Sequence, residues 1–186
     1  SAAAVVGILV ALTRPPSPGE QVVHDGPPVF NLLYAPEALR VADSRQGELL
    51  RLEGRRGKLA VEVVVRPLEL PRYDGDVTHG LLPVYANRFV DEQRERLPGM
   101  VLAAEGRARV NNGVGYEVGF QAVRPGDRTY GRDVLLVPDD PEEGRGLVTL
   151  SLRQHKPGGP LTPAERGLAG VARKAYRSFR FGTERG

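Results

Sequence analysis

The most constraining stretch of this sequence is Met100 to Ala122, two long runs meeting at Asn111-Asn112-Gly113. That triplet suits a tight hairpin, because Asn and Gly accept the positive φ such turns demand. Beyond it, Val114, Tyr116, Val118, Phe120 and Ala122 alternate with Gly115, Glu117, Gly119 and Gln121. A sustained period of two excludes a helix and gives an antiparallel pair one apolar face. Arg128 to Val137 and Leu147 to His155 read as two further strands, joined across Pro138-Asp139-Asp140-Pro141-Glu142-Glu143-Gly144.

Earlier strands are predicted at Val29 to Tyr34, closed by Ala35-Pro36, and at Gly47 to Glu53 and Lys58 to Arg66. The last two form a hairpin around Gly54-Arg55-Arg56-Gly57, and the β-branched run to Val65 suits a central strand. Leu81, Leu82, Tyr85, Ala86, Phe89, Val90 and Leu97 recur at helical spacing. Pro83 is tolerated only in a first turn, so that helix starts near Gly80, and Pro98-Gly99 stops it. A final helix carries a capping box, with Thr162 at the cap, Pro163 next and Glu165 three residues on. Its apolar stripe runs from Leu168 through Val171, Ala172, Ala175 and Tyr176 to Phe179, and Phe181-Gly182 ends it. Three strands, a helix, a run of strands and a helix make an α+β fold with helices docked on a mainly antiparallel sheet.

The N-terminus is different. Ala2 to Leu12 is apolar throughout, and the first charge is Arg14. Those residues would reach only ~16 Å as a helix, about half the hydrocarbon core of a bilayer. Residues 1–13 are therefore expected to be the stub of a membrane anchor or signal segment, with a buried first helix as the alternative. Residues 14–20, with Pro15, Pro16 and Pro18, form an extended spacer, and 21–186 form one domain.

Composition removes many chemistries. There is no Cys and no Trp among the 186 residues, which excludes disulfides, thiol catalysis and Cys-ligated metals. His24, His79 and His155 are isolated in sequence. His79 beside Asp74-Gly75-Asp76 is the nearest to a catalytic or cation-binding pattern, and it lacks the oxygen ligands of a Ca²⁺ loop. Serine-nucleophile and phosphate-loop motifs are absent, as is any cofactor motif. The carboxylates Asp139, Asp140, Glu142 and Glu143 suit a solvated connection. No metal site is expected.

The 26 basic residues exceed the 23 acidic ones by only three, too few for a nucleic-acid footprint. They gather in two places. Arg51, Arg55, Arg56 and Lys58 lie at the first hairpin; Arg173, Lys174, Arg177 and Arg180 crowd the end of the last helix. There the macrodipole favours cations, and contact with anionic headgroups or a partner is the functional alternative. Tyr85, Phe89, Tyr116, Val118 and Phe120 are candidates to line an apolar pocket between sheet and helix, or to pack together as core.

Two local patterns and the element order resemble the PsbP-like superfamily, whose branches include photosystem accessory proteins, Ran-binding proteins and actinobacterial LpqN-type lipoproteins. The patterns are the strand into proline, Phe30-Asn31-Leu32-Leu33-Tyr34-Ala35-Pro36, and the closing Ser178-Phe179-Arg180-Phe181. The resemblance implies an α-β-α sandwich and a binding or assembly role, and it supplies no catalytic residue. The expectation is a non-catalytic, membrane-tethered extracytoplasmic domain that binds a protein or envelope component. A carrier of a lipid or other apolar molecule is the second reading, and a hydrolase the third.

Overall fold

A computed structural model describes residues 19–138 and 146–183. The expected anchor, residues 14–18 of the spacer and the carboxylates of 139–143 lie outside these. Ten strands are described: β1 Glu20–His24, β2 Phe30–Tyr34, β3 Arg40–Ala42, β4 Leu50–Arg56, β5 Leu59–Leu68, β6 Met100–Val110, β7 Gly113–Arg124, β8 Asp127–Pro138, β9 Leu147–Lys156 and β10 Arg180–Phe181. A single π-helical turn, Val77–Leu81, leads into α1, Leu82–Arg96; α2 spans Pro163–Ser178.

The main sheet has seven antiparallel strands in the order β3-β4-β5-β9-β8-β7-β6, and β1, β2 and β10 form a small second sheet. Period-two alternation gives the large sheet two different faces. Leu59, Val61, Val63 and Val65 of β5 share one with Val148, Leu150 and Leu152 of β9 and Val134 and Leu136 of β8. There α2 buries Leu168, Ala172, Ala175 and Tyr176, and the small sheet adds Phe30, Leu32 and Phe181. Full burial of each large apolar side chain contributes roughly 1.5–3 kcal/mol. The opposite face presents Val118, Phe120 and Leu135 to Leu82, Ala86 and Val90 of α1. One helix on each side of the sheet makes the α-β-α sandwich.

Sequence and structure part at several points. The first hairpin turns at Gly57-Lys58, with Arg56 opposite Leu59, so Gly54 sits inside β4. A Cβ at Gly54 would lie 2.6 Å from the Ala38 carbonyl oxygen; this glycine serves close approach, not a turn. The second hairpin pairs Val110 with Gly113, and of its two loop residues only Asn111 takes positive φ, at 51°. The last helix stops at Ser178, whose hydroxyl receives the Leu33 N–H at 2.8 Å. Beyond it, Arg180 and Phe181 pair with Asn31 and Phe30 of β2, so ladder bonds to another strand replace the expected final turn. β3 has three residues, too few for a periodic signal, and β1, as long as β2, lacks its apolar alternation and begins within the stretch expected to be spacer.

Candidate functional site

Beside α2, the main sheet leaves an open cleft of about 500 Å³. Alternation along β8 sends Arg128, Tyr130 and Arg132 to this face, opposite Lys156, Gln154 and Leu152 of β9. Gly131 between them faces the other way, where a Cβ would collide with the Phe120 ring. On α2, Arg173 and Arg177 are one turn apart and share a flank, while Ala172 and Tyr176 enter the core. Leu59, Pro160 and Leu161 add an apolar wall.

Both ends of α2 are pinned, and that sets the shape of the cleft. At its start the Glu165 carboxylate accepts the Thr162 N–H at 2.8 Å, closing the capping box. It also accepts the Lys58 N–H at 3.0 Å and a charge-assisted bond from the Lys156 ammonium. Lys156, then the backbone donor of Thr162, hold the Glu165 carboxyl down at about 2. At the far end the Asn111 amide donates to the carbonyls of Arg177 at 3.0 Å and Phe179 at 2.6 Å. Asn112 exchanges two 2.9 Å bonds with the Phe181 backbone. The hairpin thus satisfies carbonyls that a helix end leaves orphaned.

Five cations line the cleft, and none of its lining residues is acidic. Two of the five are compensated from the side: Arg132 pairs with Glu117 at 2.7 Å, and Lys156 with Glu165. Arg128 donates to the Tyr130 hydroxyl at 3.1 Å. Arg128, Arg173 and Arg177 have no carboxylate partner among the described residues. Arg132 and Arg177 also border a second hollow of about 540 Å³ along β6, which Tyr176 and Glu117 help to line. The Tyr176 hydroxyl is buried there without a partner; burial, then the Glu117 charge, raises its pKa.

The residues singled out in sequence divide. Arg173 and Arg177 enter the cleft, exposed Lys174 lines neither hollow, and Arg180 lies half-buried in β10. Tyr85 and Phe89 of α1 and Tyr116 of β7, partly buried, pack with buried Val118 and Phe120 in the core between helix and sheet. The hairpin cluster separates, because Arg51 turns to the α1 face and is buried while Arg55, Arg56 and Lys58 stay exposed. His24 stacks on Phe30 with ring centroids 4.8 Å apart. His79 Nδ1 lies 2.8 Å from Asp76, whose pKa is lowered chiefly by the His79 backbone N–H. His155 lies 3.3 Å from Asp127. Among the described residues no cluster of three or more His, Asp or Glu could hold a metal. Sequence reasoning missed Arg128 and Arg132; the Arg-x-Tyr-x-Arg spacing within a strand was the available signal.

No family model matches the chain, and no curated protein matches it by sequence. Solved structures do match in shape. Cyanobacterial PsbP (CyanoP) from Synechocystis aligns over 98% of both chains at 11% identity, with a TM-score of 0.56. LpqN, described as involved in cell envelope biogenesis of Mycobacterium tuberculosis, aligns over 88% of this chain and 91% of its own at 13% identity, with a TM-score of 0.51. At these identities the likeness concerns the backbone: the chain has the PsbP-like fold.

Proposed function

We propose that this protein is a non-catalytic binding domain, held by its apolar N-terminal segment at the extracytoplasmic side of a membrane. The observation that carries the binding role is the cleft beside α2. Three guanidinium groups are held there without carboxylate partners among the described residues, which favours an arriving anion. A general acid–base mechanism needs a titrating group within hydrogen-bond reach of substrate, and the cleft presents arginines, one lysine already bonded to Glu165, and a tyrosine. Support for the location comes from the apolar run Ala2 to Leu12 followed by Pro15, Pro16 and Pro18. The envelope role of LpqN is consistent with it. The partner in this reading is a protein or envelope component.

Fractionation of cells carrying the full-length gene, followed by protease treatment of intact cells, tests the location. The expected result is a membrane-associated protein that external protease digests. Recovery in the soluble cytoplasmic fraction would overturn the tether.

A further inference from the structure

The cleft can be read one step further, resting on its role as a binding site. We infer that it takes a phosphoryl dianion attached to an apolar group, whether a soluble phosphomonoester or a phosphomonoester lipid headgroup.

Charge count sets the ligand's charge. Of the five lining cations, Arg132 and Lys156 are neutralised by Glu117 and Glu165, so Arg128, Arg173 and Arg177 leave a surplus of three. A phosphate monoester near neutral pH carries about two negative charges; a carboxylate carries one. Geometry favours the same group. Arg128 comes from β8 and Arg173 and Arg177 from α2, so their planar forks approach from two elements. A tetrahedral phosphoryl group offers oxygens in several directions, while a carboxylate offers one plane. The apolar portion follows from Leu59, Leu152, Pro160 and Leu161, which line the same space. Tyr130, 40% exposed, adds an aromatic side chain to the lining, its hydroxyl bonded to Arg128. The volume of about 500 Å³ lies within the range of small-molecule sites.

Isothermal titration of the full chain with phenyl phosphate, inorganic phosphate and benzoate is the test, alongside co-sedimentation with phosphatidic acid or phosphatidylcholine vesicles. Phenyl phosphate should bind more tightly than either fragment. R173Q combined with R177Q should weaken it at least tenfold, as should R128Q from the strand side, whereas R88Q on α1 should leave it unchanged. A second site-bearing element guards against misfolding of one variant. Sedimentation with phosphatidic acid that R173Q/R177Q reduces assigns the lipid source; phenyl phosphate binding without it assigns a soluble one. Absence of phenyl phosphate binding, binding equal to benzoate, or binding that survives all three arginine changes would overturn the inference and leave the binding role standing. Release of phenol would instead overturn the non-catalytic reading.

Discussion

Two arginine-rich regions lie on opposite faces of one sheet, and they are assembled on opposite terms. Arg51 of β4 turns away from Leu50 and Leu52 into a lattice of carboxylates. It grips Glu48 bidentately at 2.6 and 2.8 Å and reaches Glu62 at 3.0 Å and Glu53 at 3.5 Å. Arg66 adds a 2.7 Å bond to Glu48, and Arg40 a 2.8 Å bond to Glu53. Across the sheet, Arg128, Arg173 and Arg177 meet no carboxylate among the described residues. Arginine content therefore says little about function, and charge balance says much. Where every guanidinium has its acid, the group belongs to the fold; where the acids are missing, the region stores unspent attraction for something outside the chain.

The sharpest way to break this contrast is to remove Arg51. Its side chain is 1% exposed and that of Glu48 2%, so R51M takes the bidentate partner from a buried carboxylate and leaves it only Arg66 and the Arg45 N–H. Loss of one member of a buried pair costs roughly 3–5 kcal/mol, measurable by urea denaturation. A loss below ~1 kcal/mol would mean the lattice is ornamental. Acid attacks the same lattice from the other partner. Burial alone would raise the Glu48 pKa, but the Arg51 side chain and the Arg45 N–H lower it to about 2. Glu165 is held at about 2 as well. Unfolded glutamates titrate near ~4.3, so both contribute stability above that pH and lose it as pH falls through about 2. The urea midpoint should therefore decline between about pH 4.5 and 2, and E48Q should flatten part of that slope. An unchanged slope in E48Q would remove Glu48 from the account.

A smaller effect is expected at the joint that shapes the cleft. N112A deletes the amide that exchanges bonds with the Phe181 backbone, and Phe181 is 4% exposed. Orphaning its N–H and C=O should cost about 1–3 kcal/mol, while N111A should perturb Arg177 by releasing the end of α2. Amide exchange at residues 177–181 would follow both.

What the sequence disclosed here was mostly local. The alternation from Val114 to Ala122 and the Thr162–Glu165 capping box each depend on neighbours within a turn or a strand, and both are present in the fold. What it concealed depends on register. Arg51 and Arg55 look like members of one basic cluster and even share a face of β4, but Arg51, opposite Val64, is enclosed by Glu48, Glu53 and Glu62, while Arg55 near the turn stays exposed. Glu165 reads as a cap; only the tertiary fold brings the Lys58 N–H and the Lys156 ammonium to the same carboxylate. Half of the cleft was visible as Arg173 and Arg177 on one helix. The other half needed α2 to be docked against the face of β8 that carries Arg128 and Arg132, which no local pattern dictates.

The smallest expected effect is also the one that separates the regions most directly. R173Q/R177Q removes two charges that have no acidic partner among the described residues, so stability should change by no more than ~0.5 kcal/mol. Repulsion among Arg128, Arg173 and Arg177 across the cleft favours the variant at low ionic strength, against the small loss of Arg177 from the last turn of α2, where the macrodipole favours a cation. Added salt screens that repulsion, so raising salt should stabilise the parent chain more than the variant. Thermal unfolding at low and high salt reads the difference. A loss comparable to R51M would mean that these guanidiniums hold the fold together after all. Equal salt responses would mean that they stand too far apart to form a single anion site.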